Sequence, residues 1–155
     1  MAGRRTPAIV VAERAGIWFA VHEYHHDPGT SSYGLEAARE LGVDAARVFK
    51  TLIVGLDGTL TVVVLPVDAQ LDLRALGKRA ALVETSLAER TTGYVAGGIS
   101  PLGQRKRLPT LIDDSALGFD TIHVSAGRRG LQLELAPADL LTLTEGRACS
   151  LAATR

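Results

Sequence analysis

One cysteine, Cys149, in 155 residues excludes an internal disulfide framework and fits a reducing compartment. Neither charge sign dominates: Lys+Arg and Asp+Glu number 17 each, so the chain lacks the uniformly basic surface of a protein that coats nucleic acid. Any nucleic-acid contact has to be local. Long hydrophobic runs are missing too. No segment approaches the roughly 20 apolar residues that span a bilayer. The apolar stretch Ala8–Ala12 behind Arg4 and Arg5 is cut off by Glu13 and Arg14, which argues against a secretory leader. Internal repeats and low-complexity tracts are absent, and no interdomain linker stands out. These absences predict a soluble, cytoplasmic chain whose residues 1–155 form a single domain.

What is present is a foldable mixture. With 46% apolar and 22% charged residues, a chain of this length buries roughly 68 to 70% of its unfolded surface. Thr6-Pro7 reads as an N-cap and first helical position, with a stop at Gly16. A strand over Ile17–Tyr24 ends at Asp27-Pro28-Gly29, and a second helix runs from Ser32 to Gly42. Arg47 to Pro66 is a β-hairpin turned at Asp57-Gly58. Helical spacing covers Leu71–Leu82 and Ser86–Thr92. Strands follow at Leu108–Asp113 and Phe119–Ser125, the latter paired through the turn Gly127–Gly130 with the strictly alternating Leu131–Leu135. Pro137 opens a helix to Leu143, and a weak strand spans Ala148–Leu151. Strands and helices without a regular βαβ rhythm predict a mixed α/β (α+β) fold, a mixed sheet wrapped by helices.

The segment Gly93–Pro109 is too irregular for either element. Its glycine pair, Gly97-Gly98, frees the backbone for close approach to a ligand, Pro101 fixes a turn, and Arg105-Lys106-Arg107 follows. Such a loop suits an anionic, carbonyl-bearing ligand. Lys50 interrupts an apolar strand, opposite in direction to Phe49 and Thr51 and on the face of Leu52 and Val54. Two readings stay open for it: a solvated lysine, or a cation that binds an anion or polarises a carbonyl. Arg105–Arg107 and Arg128-Arg129 together suggest a local basic face. His22, His25, His26 and Asp27 match no established metal motif, so they read as a strand end and its turn, with no metal or other cofactor expected. Cys149 has no cation or histidine near it in sequence. Ser100 lies outside any nucleophile elbow, and phosphate-loop and dinucleotide fingerprints are absent.

In order along the chain, Thr6-Pro-Ala-Ile, His25-His-Asp-Pro28, Phe49-Lys-Thr-Leu-Ile-Val54, Thr92-Gly-Tyr94, Gly97-Gly-Ile-Ser-Pro-Leu-Gly-Gln-Arg-Lys-Arg-Leu-Pro109 and Val124-Ser-Ala-Gly-Arg-Arg-Gly130 resemble the bacterial YbaK branch of the YbaK/EbsC family. That family is related to the editing domain inserted in bacterial prolyl-tRNA synthetase. The resemblance implies one partly barrel-like mixed sheet of about six or seven strands. It implies a trans-editing deacylase that removes cysteine from mischarged Cys-tRNA(Pro), an error that arises because pockets discriminate near-isosteres poorly. It implies Lys50 as the essential lysine, anchoring the terminal adenosine or a phosphate, and Gly97 and Gly98 as the loop closing over the ester. Tyr24, Tyr33, Thr51, Ile99, Ser100, Pro101, Ser125 and Gly127 would frame the aminoacyl group. Arg105, Lys106, Arg107, Arg128 and Arg129 would meet the tRNA. No protein nucleophile is implied, because the substrate's own thiol attacks its carbonyl and leaves as a thiolactone. Prolyl-tRNA synthetase enters as a further partner; membrane and DNA do not. Two rivals stand beside this reading: a water-using deacylase of an alanyl or seryl error, and a non-catalytic module binding tRNA or synthetase. Two positions depart from the family pattern. Ala126 replaces a frequent glycine and strains the turn if φ > 0 is required there, and Tyr33 replaces a frequent phenylalanine.

Overall fold

A computed structural model describes residues 5–153; Met1–Arg4, weighed above for a leader, and the last two residues lie outside it. Helix α1 (Pro7–Ala15) begins where the sequence places it. The Thr6 hydroxyl accepts from the Ile9 amide (3.3 Å) and donates to the Ala126 carbonyl, so one side chain caps the helix and ties it to a distant strand. Gly16 closes the helix in the left-handed region, φ 68°. Strand β1 (Phe19–Glu23) and helix α2 (Tyr33–Leu41) follow, then the hairpin of β2 (Phe49–Leu56) and β3 (Thr59–Pro66). Asp57 and Gly58 both have positive φ, 50° and 79°, which is the type I′ geometry that matches strand twist.

Next come α3 (Leu73–Leu76), β4 (Ala81–Leu82), α4 (Thr85–Thr92), β5 (Thr110–Asp113), β6 (Ile122–Arg128), β7 (Leu131–Leu135), α5 (Pro137–Thr144) and β8 (Arg147–Cys149). The mixed α/β class holds, but the strands divide between two sheets. One is antiparallel in the order β1-β7-β6; the other runs β4-β2-β3-β5-β8, with β3, β5 and β8 parallel. A parallel bridge from Val48 to His123 is where the sheets touch. Between them lies the main core, with Phe49, Ile53, Val62 and Val64 facing Ile122, Val124, Leu133 and Leu135. A second cluster, Val54, Val63, Leu65 and Leu151, fills the other face, so β3 is apolar on both sides.

The continuous helix expected over Leu71–Leu82 breaks after one turn. Gly77 caps it, and Ala81–Leu82 pairs with Gly55 and Val54 at the edge of β2. Leu71, Leu73 and Leu76 still pack on the second cluster, so the spacing reported burial correctly and length incorrectly. The final strand starts and ends earlier than expected because Leu151 leaves the sheet for the core. Asp113 secures that exit, accepting from the amides of Leu151 (2.8 Å) and Ala152 (3.1 Å). The β6–β7 register slips between Ser125 and Arg128, where Gly127 (φ 113°) absorbs the bulge. Ala126 is therefore unstrained: among the described residues only Asp57 and Glu145 carry positive φ without being glycine.

Candidate active site

Strand β2 is bare along part of one edge. On that edge β6 forms a bridge at Val48, just before the strand, and β4 pairs at Val54 and Gly55, so among the described residues no strand is paired there with Lys50, Thr51 and Leu52. The gap opens into a cavity of ≈ 360 Å³. Phe49, Lys50, Thr51 and Leu52 form one wall; Ser31 and Ser32 with the first turn of α2, Tyr33 to Leu35, form another. Gly97 and Ile99 come in from the loop, and Ser125 and Gln132 from β6 and β7.

Close packing places the second wall. A Cβ on Gly34 would lie 2.2 Å from a Val67 methyl, so only glycine lets α2 press this closely on the end of β3. Tyr33 is thereby held beside Gly97. Residues 95–98 form a turn in which the Gly98 amide donates to the Val95 carbonyl (2.9 Å) and Gly97 takes the positive φ, 83°, of the third position. The Tyr33 ring carries the Arg129 guanidinium 4.6 Å from its centroid, and Arg129 Nε donates to the Ala96 carbonyl (2.7 Å). On the ring's other neighbour, His26 (centroids 5.8 Å apart), the imidazole donates to buried Glu36 (2.7 Å). Burial raises the Glu36 pKa, but the bonds from His26 and the Asp27 amide outweigh it, and the net direction is down.

Lys50 is half-buried. Its ammonium donates to the Ala69 carbonyl (2.7 Å), and desolvation lowers its pKa, with Asp68 opposing the change. Thr51 and Gln132 are 8% and 6% exposed, yet the Thr51 hydroxyl and the Gln132 carbonyl oxygen have no protein partner. Two unpaired polar atoms, one from each of two cavity walls, are hydrogen-bonding capacity that a ligand can use. The lining contains no Cys, His, Asp or Glu among the described residues. It offers a cation, hydroxyls and an amide, and no carboxylate, imidazole or thiol among the described residues.

Six of the expected site residues line this cavity: Tyr33, Lys50, Thr51, Gly97, Ile99 and Ser125. Others sit elsewhere. The Gly98 amide is engaged by Val95, and its Cα packs on the Arg128 backbone, where a Cβ would meet Arg128 Cα at 2.7 Å; it shapes the loop and has no free donor. Ser100 is fully buried, its hydroxyl accepting from the Leu102 amide (3.2 Å), and Pro101 is buried beside it. Gly127 faces Thr6 and Tyr94. Tyr24 packs behind α2 against Ala37, Val48 and Val67, and burial raises its pKa. Arg128 and Arg129 lie outside the lining, Arg129 stacked on the Tyr33 ring and the Arg128 backbone against Gly98, whereas Arg107 pairs with Glu145 (2.7 Å) at the end of α5, and exposed Arg105 and Lys106 belong to that separate segment. The two basic clusters thus attach to different elements. Cys149 lies outside the lining, its pKa raised by burial. Gln132 and Gly34 were missed. Alternation put Gln132 on the polar face of its strand, but only the register, Ser125 opposite Gln132, shows that this face closes a cavity.

Comparisons with known proteins agree with this architecture. A sequence model of the aminoacyl-tRNA editing domain matches residues 27–143. A protein of Enterococcus faecalis, described provisionally as the Cys-tRNA(Pro)/Cys-tRNA(Cys) deacylase EbsC, is 41% identical over 116 residues, 71% of each chain. Among solved structures, a protein described provisionally as a trans-editing enzyme for prolyl tRNA synthetase superposes with TM-score 0.82 at 22% identity, covering 96% of both chains. A hypothetical protein superposes with TM-score 0.84 at 24% identity, covering 96% of this chain and all of the other. The chain belongs to the aminoacyl-tRNA editing domain family, in its YbaK/EbsC group.

Proposed function

We propose that residues 1–155 act as one editing domain, a cytoplasmic trans-editing deacylase that removes cysteine from mischarged Cys-tRNA(Pro). The observation that carries the chemistry is the cavity lining, which has a lysine and unpaired hydrogen-bonding atoms but no imidazole, carboxylate or thiol. Such a site can position and polarise an ester, and its lining places no carboxylate or imidazole beside a hydroxyl to make it a nucleophile. A cysteinyl substrate brings the nucleophile. Its sulfur attacks the ester carbonyl, a C–S bond forms, the C–O bond to the ribose breaks, and the thiol proton ends on the ribose hydroxyl. Free tRNA and a thiolactone result, and water opens the thiolactone in solution. Holding thiol and carbonyl in register draws on effective molarities of ~10⁵ M or more.

In this reading Lys50 anchors the terminal adenosine or a phosphate through charge, and the Gly97 amide faces the developing oxyanion, a role worth ~10² to 10³ in rate per donor. Thr51, Ser125 and Gln132 contact the aminoacyl group, with Tyr33 and Ile99 enclosing it. Arg128 and Arg129, outside the lining, meet the acceptor strand. The name of the Enterococcus relative supports the cysteinyl substrate, and that of the structural neighbour supports work alongside prolyl-tRNA synthetase. The test is incubation with cysteinyl- and alanyl-tRNA(Pro). Loss of the cysteinyl ester alone is expected; an ester that survives stoichiometric protein would overturn the proposal. Hydrolysis of the alanyl or seryl ester instead would point to a water-using enzyme, and salt-sensitive tRNA binding without turnover to a binding module.

A further inference from the structure

The histidine cluster read from sequence does not assemble, but one of its members meets two residues far along the chain. Of the cluster, His26 is engaged by Glu36, Asp27 accepts from the Gly29 amide of its own turn, and His25 is exposed. His22 instead lies on β1 beside β7, while His123 lies on β6 on the other side of β7, opposite Glu134. All three project from the face that carries Gln132. One ring nitrogen of each histidine and a Glu134 carboxylate oxygen lie within 4.8 Å of one another.

We propose that His22, His123 and Glu134 bind a divalent transition metal of borderline softness, of which zinc is the representative. Two imidazoles and one carboxylate, with a fourth position left for water, form a donor set that suits such ions. A second observation is independent of the residue types. His123 is 3% exposed, and its Nδ1 has no hydrogen-bond partner among the described residues, an unusual state for a buried imidazole nitrogen, which an ion held at that atom would relieve. The carboxylate is also held in a suitable orientation. The Thr121 hydroxyl donates to Glu134 Oε2 (2.6 Å), leaving Oε1 toward His22 (2.9 Å), and Arg47 fixes Thr121 through its carbonyl (3.1 and 3.2 Å) and hydroxyl (2.8 Å). Ligand bonds of 2.0 to 2.2 Å put donor atoms ~3.3 to 4 Å apart, so rotations of His22 and Glu134 that move their tips by about 1 Å complete the site. The His22 side chain is 36% exposed, which gives the ion its entry. Arg47 lies 3.8 Å from Glu134 Oε2 and opposes a dication, so affinity falls below that of a closed four-ligand site.

The site adjoins the Ser125–Gln132 pair of the cavity by one step of the sheet, yet the inference stands apart from the editing reading. Its test uses the full chain, stripped with chelator and titrated with Zn²⁺ by calorimetry, with Co²⁺ absorption as the coordination probe. One ion per chain, a melting temperature that rises with Zn²⁺ and a tetrahedral Co²⁺ spectrum are expected. His22→Ala and Glu134→Gln each weaken Zn²⁺ binding by at least about tenfold and remove the thermal shift, while His25→Ala changes neither. Absence of saturable uptake by the unaltered chain would overturn the proposal. So would affinity unchanged in both variants, or lost in His25→Ala.

Discussion

Replacing Gly97 with alanine tests whether the loop and α2 are fitted to each other. The added methyl meets two separate obstacles. Gly97 has φ 83°, a region that costs an L-residue roughly 1 to 2 kcal/mol. The Cβ would also lie 2.6 to 2.8 Å from Cγ, Cδ1 and Cδ2 of Tyr33, and overpacking of this kind costs about 1 to 3 kcal/mol. The ring is confined by Arg129 on one side and His26 on another. The turn therefore lifts, relieving part of the ~2 to 5 kcal/mol sum at the expense of the cavity. Melting should fall by roughly 4 to 8 °C, as about 2 kcal/mol implies for a chain of this size. Single-turnover deacylation of Cys-tRNA(Pro) should fall by ~10² or more, because misplacement by about 1 Å is enough for that. Combining Gly97→Ala with Tyr33→Ala separates the obstacles. Without the ring, Gly97→Ala should cost only the backbone contribution, about 1 to 2 kcal/mol, so the pair couples. Equal melting and equal rates for Gly97→Ala, or strict additivity in the cycle, would refute the fit.

Lys50→Ala should abolish deacylation while lowering stability by about 1.5 to 3 kcal/mol, the worth of a hydrogen bond from a charged group such as its bond to the Ala69 carbonyl; unchanged turnover would make the lysine a bystander. Gln132→Leu removes an unpartnered buried oxygen together with the side chain's bond to Tyr24, so stability should change by only about 0.5 to 1.5 kcal/mol while KM for the aminoacyl-tRNA increases. A large drop in melting would mean that Gln132 serves the core. For Asp113, burial raises the carboxyl pKa, but bonds from Ser115, Leu151 and Ala152 prevail and the folded value lies below the ordinary 3.8. A depressed carboxylate contributes stability that is present above its unfolded pKa and lost as pH falls through the folded one. Unfolding free energy should therefore decline below pH ~4 through this group, and Asp113→Ala should flatten its share of that decline. A difference between the two proteins that does not change with pH would contradict the assignment.

Local chemistry was readable wherever one residue decides a conformation. Thr6-Pro7, Gly16 and Gly42 bound their helices as expected, and Asp57-Gly58 turns its hairpin. The alternation around Lys50 also held: Leu52 and Val54 join one cluster, Phe49 and Ile53 the other. What sequence could not supply was register between distant strands. Gln132 and Glu134 look alike in Leu131–Leu135, yet one faces the cavity and the other meets two histidines from neighbouring strands. Competition for hydrogen bonds was equally hidden. Gly98 and Ser100 have the residue types of ligand donors, but the Gly98 amide already donates to Val95, and the Ser100 hydroxyl is fully buried where it accepts from Leu102. The Leu71–Leu82 spacing signalled burial along a segment that is helical for one turn, because Ala81 and Leu82 gain strand partners at the edge of β2.

The central claim is that this cavity positions an ester and leaves attack to the substrate. The most direct measurement compares single-turnover rates on cysteinyl-tRNA(Pro) and on its S-methylated form. The thioether keeps nearly the same shape but cannot form the thiolactone. Rapid release of the first and survival of the second are expected, with thiolactone trapped from the first reaction. Equal rates on both would mean that water attacks and that the nucleophile is activated by the protein.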